Sequence, residues 1–270
     1  MTTSLRFATY LSPRLGIFYR AVADHLAREL GLDVEFAIGG SCANFDAERD
    51  DVSFLCGLPY VDLRDAGVAI EPIAAPVLSG NRFGGRPVYF SDVIVRTDSP
   101  FRSFADLRGR SWAFNEVPSQ SGYGVTRARL AELGETAGYF GRVVESGAHH
   151  RSIRMVADGS VDASAIDCQV LAVELRDHPE LGDRLRVIDS LGPSTIQPVV
   201  AAERLPAGLR HDVAESLLRM GSDPTERESL GFGFVDRLVR VDDGDYDDIR
   251  RMSAAARAAG LQGFGPAISF

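Results

Sequence analysis

The chain opens with strand-like and helix-like hydrophobic patterns in alternation. Leu5 to Thr9 reads as a short strand, and Ser12-Pro13 then suits a helix start, serine as cap and proline in the first turn. Phe18, Val22, Leu26 and Leu30 fall on one face of the helix that follows, and Gly31 is placed to end it. Val34 to Ile38 is the next strand, closed by the turn Gly39-Gly40-Ser41. Asp51 to Cys56 is a third strand. A short helix starts in Gly57-Leu-Pro59-Tyr60, and Ala69 to Leu78 is a further strand. Repeated βαβ units predict a parallel sheet with helices on both faces.

A second unit begins near Val88. Tyr89 to Val95 is strongly β-prone, Phe101 to Leu107 reads as a short amphipathic helix, and Ser111 to Phe114 as a strand. Ser119-Gln120-Ser121-Gly122-Tyr123 leads into a helix reaching about Leu133. Strands at Gly141–Glu145, Ala163–Ile166 and Leu185–Ile188 alternate with helices at Ser152–Val156 and Cys168–Arg176. After Ser190 come a strand at Val199–Ala202, a helix at Leu209–Met220 and a last helix at Tyr246–Ala259. This final part has few strands of its own, so it is expected to pack back onto the first unit. The expected organisation is a discontinuous lobe of residues 1–90 and 191–270 with residues 91–190 inserted as a second lobe. A hinge and a cleft are expected between them.

Composition narrows the function. With 270 residues, 45% of them hydrophobic and 25% charged, the chain can bury a core in about two domains. The net charge is −9, every positive side chain other than histidine is arginine, and no basic block occurs. Nucleic acid and anionic membranes are therefore poor partners, whereas a small anion held by backbone N–H groups remains compatible. Cys42, Cys56 and Cys168 are widely spaced and form no CxxC pair, so three buried free thiols are expected, a Cys42–Cys56 disulfide being the alternative. No apolar run is long enough to span a bilayer. The first residues read directly as a strand and not as an export signal, which fits either a cytosolic location or a leader that has been removed.

Candidate chemistry sits mainly in the second unit. Ser119 to Tyr123 joins a strand to a helix start, where hydroxyls and N–H groups converge in a way that suits an oxyanion; an ordinary serine N-cap is the competing reading. Ser146-Gly147-Ala148-His149-His150 precedes another helix, so His149 can donate to an anion or merely cap and pack. Asp167 ends a buried-looking strand, as a ligand acid or as a helix N-cap. Tyr60 and Tyr89 suit a cleft wall, offering area plus one hydroxyl, and are equally at home in a core. Trp112, within a strand, belongs to the core. Nucleophile-elbow, P-loop, HExxH and DFG motifs do not occur, no ligand set has metal spacing, and no cofactor is expected.

The stretch from Ser91 to Phe114, with Thr97-Asp-Ser-Pro100 and Phe104-Ala-Asp-Leu107, resembles the phosphonate-type substrate-binding proteins of ABC transporters. The resemblance continues through Ser119–Tyr123, through Ser146–His149, and through Asp158-Gly-Ser-Val-Asp162-Ala-Ser-Ala-Ile-Asp167, and covers about residues 5 to 220. It implies a type II periplasmic-binding-protein fold of two α/β lobes, each a mixed, mostly parallel sheet, closing on a ligand. It further implies that Ser119, Gln120, Ser121 and Tyr123 form the oxyanion loop, that His149 assists it, and that Tyr60 and Tyr89 line the first-lobe side. Asp167 would read a ligand amino group. Gln120 stands where phosphonate binders often carry threonine, which removes one hydroxyl from the loop.

A monomeric, non-enzymatic solute-binding protein for a phosphonate-, phosphate- or phosphite-like anion, serving an ABC permease, is the expected function. An enzyme on the same bilobal fold, resembling those of menaquinone or thiamine pathways, would instead use Asp167 or His149 as a general base. A cytosolic ligand sensor is the third reading.

Overall fold

A computed structural model describes residues 4–222, 224–265 and 267–269, the side chains of the last three excepted. In chain order, β1 (Ser4–Thr9), α1 (Gly16–Leu30), β2 (Asp33–Ile38), β3 (Val52–Phe54), α2 (Gly57–Asp65) and β4 (Ile70–Leu78) come first. Next are β5 (Val88–Arg96), β6 (Ser111–Phe114), α3 (Val125–Glu132), β7 (Arg142–Glu145) and α4 (His149–Ala157). They are followed by β8 (Ala163–Asp167), α5 (Cys168–Asp177), α6 (Glu180–Arg184) and β9 (Leu185–Thr195). The chain ends with β10 (Val199–Ala202), α7 (Ala207–Arg219), α8 (Pro224–Gly231), β11 (Val235–Val239), α9 (Asp247–Ala258) and β12 (Ala267–Ser269).

Two compact units result, Met1–Val88 with Thr195–Asp247, and Tyr89–Ser194 with Asp248–Phe270. The first holds a sheet ordered β11-β4-β10-β3-β1-β2. β1 runs parallel to β2 and β3, as the βαβ pattern requires, but β10 and β11 enter antiparallel. These two strands arrive after the second unit has been traversed, so no crossover helix dictates their direction. The α1 stripe is buried as predicted, Phe18, Val22 and Leu26 at 1% exposure or less, and Gly31 ends the helix at φ 63°. The three cysteines are buried thiols outside any disulfide, so the Cys42–Cys56 alternative falls.

The second unit's sheet is ordered β12-β7-β6-β8-β5-β9. Its residues alternate strictly between two apolar clusters. Val93, Val95, Trp112, Phe114, Val143 and Ala165 face one, while Ile94, Ala113, Val144 and Ile166 face the other. A sheet buried on both faces explains why these strands read as continuous apolar runs. Trp112 is the aromatic centre, stacked on Phe140 at 4.5 Å.

The C-terminal part departs from expectation. Residues 248–270 belong to the second unit, not the first. The reason is aromatic: Phe264 packs edge-on against Phe114, Tyr123 and Phe140, and Ala256 and Leu261 join the Trp112 cluster. The boundary expected at residue 90 also shifts, which moves Tyr89 into the second unit. The helix expected over Phe101–Leu107 is a single 3-10 turn at Phe104–Leu107, closed by a reciprocal Ser103–Asp106 capping box.

Candidate functional site

β7, β6 and β8 are parallel neighbours, so their C-terminal ends lie side by side. The three stretches singled out in the second unit follow these three ends: Ser119–Tyr123 after β6, Ser146–His149 after β7, and Asp167 at the close of β8. Topology thus assembles one site from segments far apart in sequence, at the edge of an open α/β sheet where ligands bind.

The loop after β6 enters helix through a wide turn. Ser119 is extended, and Gln120–Gly124 forms a π-helical turn in which Gly124 N–H donates to Ser119 O at 2.9 Å. Such turns are rare and concentrate at functional sites. The first N–H groups of the segment have no acceptor within the helix itself. Ser119 Oγ accepts from Gly122 N–H at 3.2 Å and lies 3.4 Å from Ser121 Oγ. Ser121 Oγ sits 2.7 Å from His149 Nε2. Gln120 donates through Nε2 to Ser194 Oγ and Met252 Sδ, both at 3.2 Å. Tyr123 donates its hydroxyl to Gln262 O at 2.7 Å. All four loop side chains are buried.

The turn after β7 is tied to the same strand end. Ser146 N–H donates to Phe114 O and Gly147 N–H to Asn115 O, at 2.8 and 2.7 Å. Gly147 needs its φ of 80°, which a larger residue adopts only with strain. His149 then begins α4. It is buried, and burial, reinforced by His150, pulls its imidazole down from the ordinary 6.5 to about 3. The ring is therefore neutral at physiological pH, and the helix N-terminus at which it stands further disfavours a positive charge.

Asp167 performs the helix-cap role weighed for it: Oδ1 accepts from Gln169 N–H at 2.8 Å and Val170 N–H at 3.3 Å. Tyr89 is buried at 1% exposure on the second unit's central sheet, so it does not belong to the first-lobe side. Tyr60 lies in the first unit, its hydroxyl donating to Asp243 Oδ1 at 2.6 Å and its ring against Tyr246. The second unit therefore gathers Ser119, Gln120, Ser121, Tyr123, His149 and Asp167, but not Tyr60. Sequence reading missed Asn115, Ser194 and Met252. Asn115 carried a weak signal as a polar residue closing a strand; Met252 carried none, because only the docking of α9 brings it to Gln120. Among the described residues no group of three His, Cys, Asp or Glu is placed to hold a metal ion.

A family model for periplasmic phosphonate substrate-binding proteins of ABC transporters matches residues 7–246. The chain belongs to that family. Its fold is that of type II periplasmic binding proteins. It is similar to a binding protein component of a Pseudomonas aeruginosa ABC phosphonate transporter, with a TM-score of 0.84 at 17% identity over 97% of this chain and 89% of that one. A Prochlorococcus marinus protein solved with methylphosphonate gives 0.82 at 17% identity, covering 94% and 98%. The periplasmic aliphatic sulphonate binding protein of Escherichia coli gives 0.66 at 14% identity, covering 97% and 89%. Within this phosphonate-type binding protein, α9 and the segment after it lie beyond the family-model match, yet they carry Met252 and Gln262, which hold Gln120 and Tyr123.

Proposed function

We propose that this chain is the solute-binding component of an ABC transporter and captures a small phosphorus oxyanion, phosphonate-, phosphate- or phosphite-like, on the loop Ser119–Tyr123. The observation that carries the reading is the convergence of the Ser119 and Ser121 hydroxyls, the π-helical turn and the α4 N-terminus in a buried setting with a neutral histidine. Preorganised neutral donors bind an anion strongly where water is excluded. Methylphosphonate in the Prochlorococcus marinus relative supports a phosphorus oxyanion as the ligand class. The permease is the partner that follows, and the protein acts as a monomer.

The pair Ser121 Oγ–His149 Nε2 also has the spacing of an activated nucleophile. Two facts favour binding over catalysis. An imidazole pulled down to about 3 is a weak base at neutral pH, and no orienting carboxylate engages Nδ1 among the described residues. The non-enzymatic reading therefore stands as part of the proposal.

A thermal-shift screen against phosphate, phosphite, methylphosphonate, 2-aminoethylphosphonate, sulfate and an uncharged control tests it. A ligand at about 100 times its Kd adds about 2.7 kcal/mol, a rise of roughly 5 °C or more for a chain of this size. A selective rise with a phosphorus oxyanion, and recovery of that ligand unchanged, is expected. Equal silence across the set would overturn the proposal.

A further inference from the structure

No basic block occurs in the sequence, yet the fold gathers three arginines at the end of the second unit's sheet opposite the serine loop. β5 runs antiparallel to β8 and β6 parallel to it, so the end of β5 and the start of β6 lie away from the loops that follow β6, β7 and β8. β9 begins beside the end of β5, where Thr97 N–H donates to Arg184 O at 2.8 Å. Arg186 on β9 donates through Nη2 to Ser99 O at 3.0 Å, to Ser99 Oγ at 3.4 Å and to Phe101 O, and through Nε to Thr97 O at 3.4 Å. Arg102 donates through Nη1 to two of the same carbonyls, Ser99 O at 3.0 Å and Phe101 O at 3.2 Å. Arg110, just before β6, holds its guanidinium 5.2 Å from the centre of the Phe101 ring. Arg102 and Arg110 are exposed and Arg186 is half-buried.

Two guanidinium groups that share two acceptors are close neighbours of like charge. Burial, and after it the Arg102 charge, pulls Arg186 below the ordinary arginine value. Among the described residues no carboxylate pairs with any of the three arginines. The carboxylates at this end of the sheet are committed: Asp98 to Arg96 at 2.9 Å, Asp106 to the N–H groups of Arg102 and Ser103 at 2.8 and 2.9 Å, and Asp162 to Ser111 N–H at 2.8 Å. Carbonyls accept hydrogen bonds but cancel no charge, so the cluster stays positive in a chain of net charge −9.

We propose that Arg102, Arg110 and Arg186 form a docking surface for an acidic segment of a partner protein, whose carboxylates the exposed guanidinium forks hold. The planar fork matches a carboxylate through two parallel hydrogen bonds, and Nε and Nη2 of Arg102 and the whole fork of Arg110 are uncommitted among the described residues. Positive charge spread over an exposed surface suits several carboxylates on one chain better than a single small ion. The surface lies at the far end of the sheet from Ser119–Tyr123, so a docked segment leaves that loop uncovered, and the proposal does not depend on what the loop binds.

A capped hexaglutamate peptide titrated into the 15N-labelled full chain tests it, with capped hexaglutamine as control. The expected result is a saturable shift of the arginine Nε–H signals of Arg102, Arg110 and Arg186 and of the backbone amides from Thr97 to Arg102, with hexaglutamine silent. Binding should weaken about fivefold or more between about 10 mM and about 150 mM salt, as screening shortens the reach of the charges. The double variant Arg102→Gln/Arg110→Gln leaves Arg186 to tie the loop, so its Tm should stay within about 2 °C of the wild type. It should bind the peptide about fivefold or more weakly, the effect of losing two exposed ion pairs. Shifts that are absent, or that centre on other residues, overturn the proposal, as does an unchanged affinity in the double variant. Binding to phosphatidylglycerol vesicles while hexaglutamate stays silent would make the partner a membrane and overturn it as well. The map on the wild type judges the proposal even if the variant proves unstable.

Discussion

Moving from about pH 7 to about pH 5 is expected to cost this protein about 2 kcal/mol of stability through His149 alone. In the unfolded chain its imidazole titrates at the ordinary 6.5, and in the folded chain burial holds it at about 3. Between these values the unfolded state binds a proton that the native state refuses, so stability is full above 6.5 and declines as the pH falls toward 3. Each pH unit inside that window costs about 1.4 kcal/mol, and the roughly 1.5 units between 6.5 and 5 therefore cost about 2 kcal/mol. Urea unfolding at the two pH values, for wild type and His149→Phe, isolates the residue, because other titrating groups cancel in the comparison. The wild type should lose about 2 kcal/mol more than the variant. Equal losses would show that the folded imidazole protonates freely at pH 5, and would refute the neutral-histidine reasoning.

Three further outcomes are expected. In Gly122→Ala the new Cβ would lie 2.0 Å from Asn115 Oδ1 and 3.3 Å from the Asn115 backbone nitrogen, so the loop must shift. It should lose about 1–3 kcal/mol in thermal unfolding and its methylphosphonate binding by calorimetry; a variant unchanged in both would show that the loop's close approach to Asn115 is unimportant. Glu226→Gln in the first unit removes the carboxylate held by His25 Nδ1 at 2.6 Å, Arg28 at 3.2 Å and Gly221 N–H at 3.0 Å. Breaking so buried a pair should cost about 3–5 kcal/mol in urea unfolding, and a loss below about 1 kcal/mol would mean the pair is dispensable. Asp167→Asn keeps a side-chain oxygen for the α5 cap, so stability should move by no more than about 0.5 kcal/mol. If Asp167 reads a ligand ammonium, affinity for 2-aminoethylphosphonate falls about tenfold or more while methylphosphonate is spared; equal affinities before and after the change would leave the residue as a cap alone.

Local pattern carried far in this chain because its strands and helices are internally consistent. The α1 stripe, its Gly31 terminus, the strands β1 to β4 and the alternation through β6, β7 and β8 all follow from periodicity and turn chemistry. β11 and β12 escaped because Val235–Val239 and Ala267–Ser269 are short and sit at sheet edges, where pairing partners rather than composition make a strand. The candidate site was half legible. Ser119 and Ser121 announced themselves as hydroxyls before a helix, and Asp167 as the residue between a strand and a helix. The roles of Gln120 and Tyr123 depended on partners at Ser194, Met252 and Gln262, which no local window contains.

The amino-acid order therefore specified the elements, the buried faces and the loop chemistry, since each depends on contacts within a few residues. Which strands became neighbours, and so which loops met, was settled by burial over the whole chain. β7-β6-β8 pairing placed His149 against Ser121, and Phe264 drew the C-terminal residues onto the second unit. The charge state of His149 belongs to the same level: an imidazole is ordinary until its surroundings exclude water, and that exclusion is a property of the packed unit.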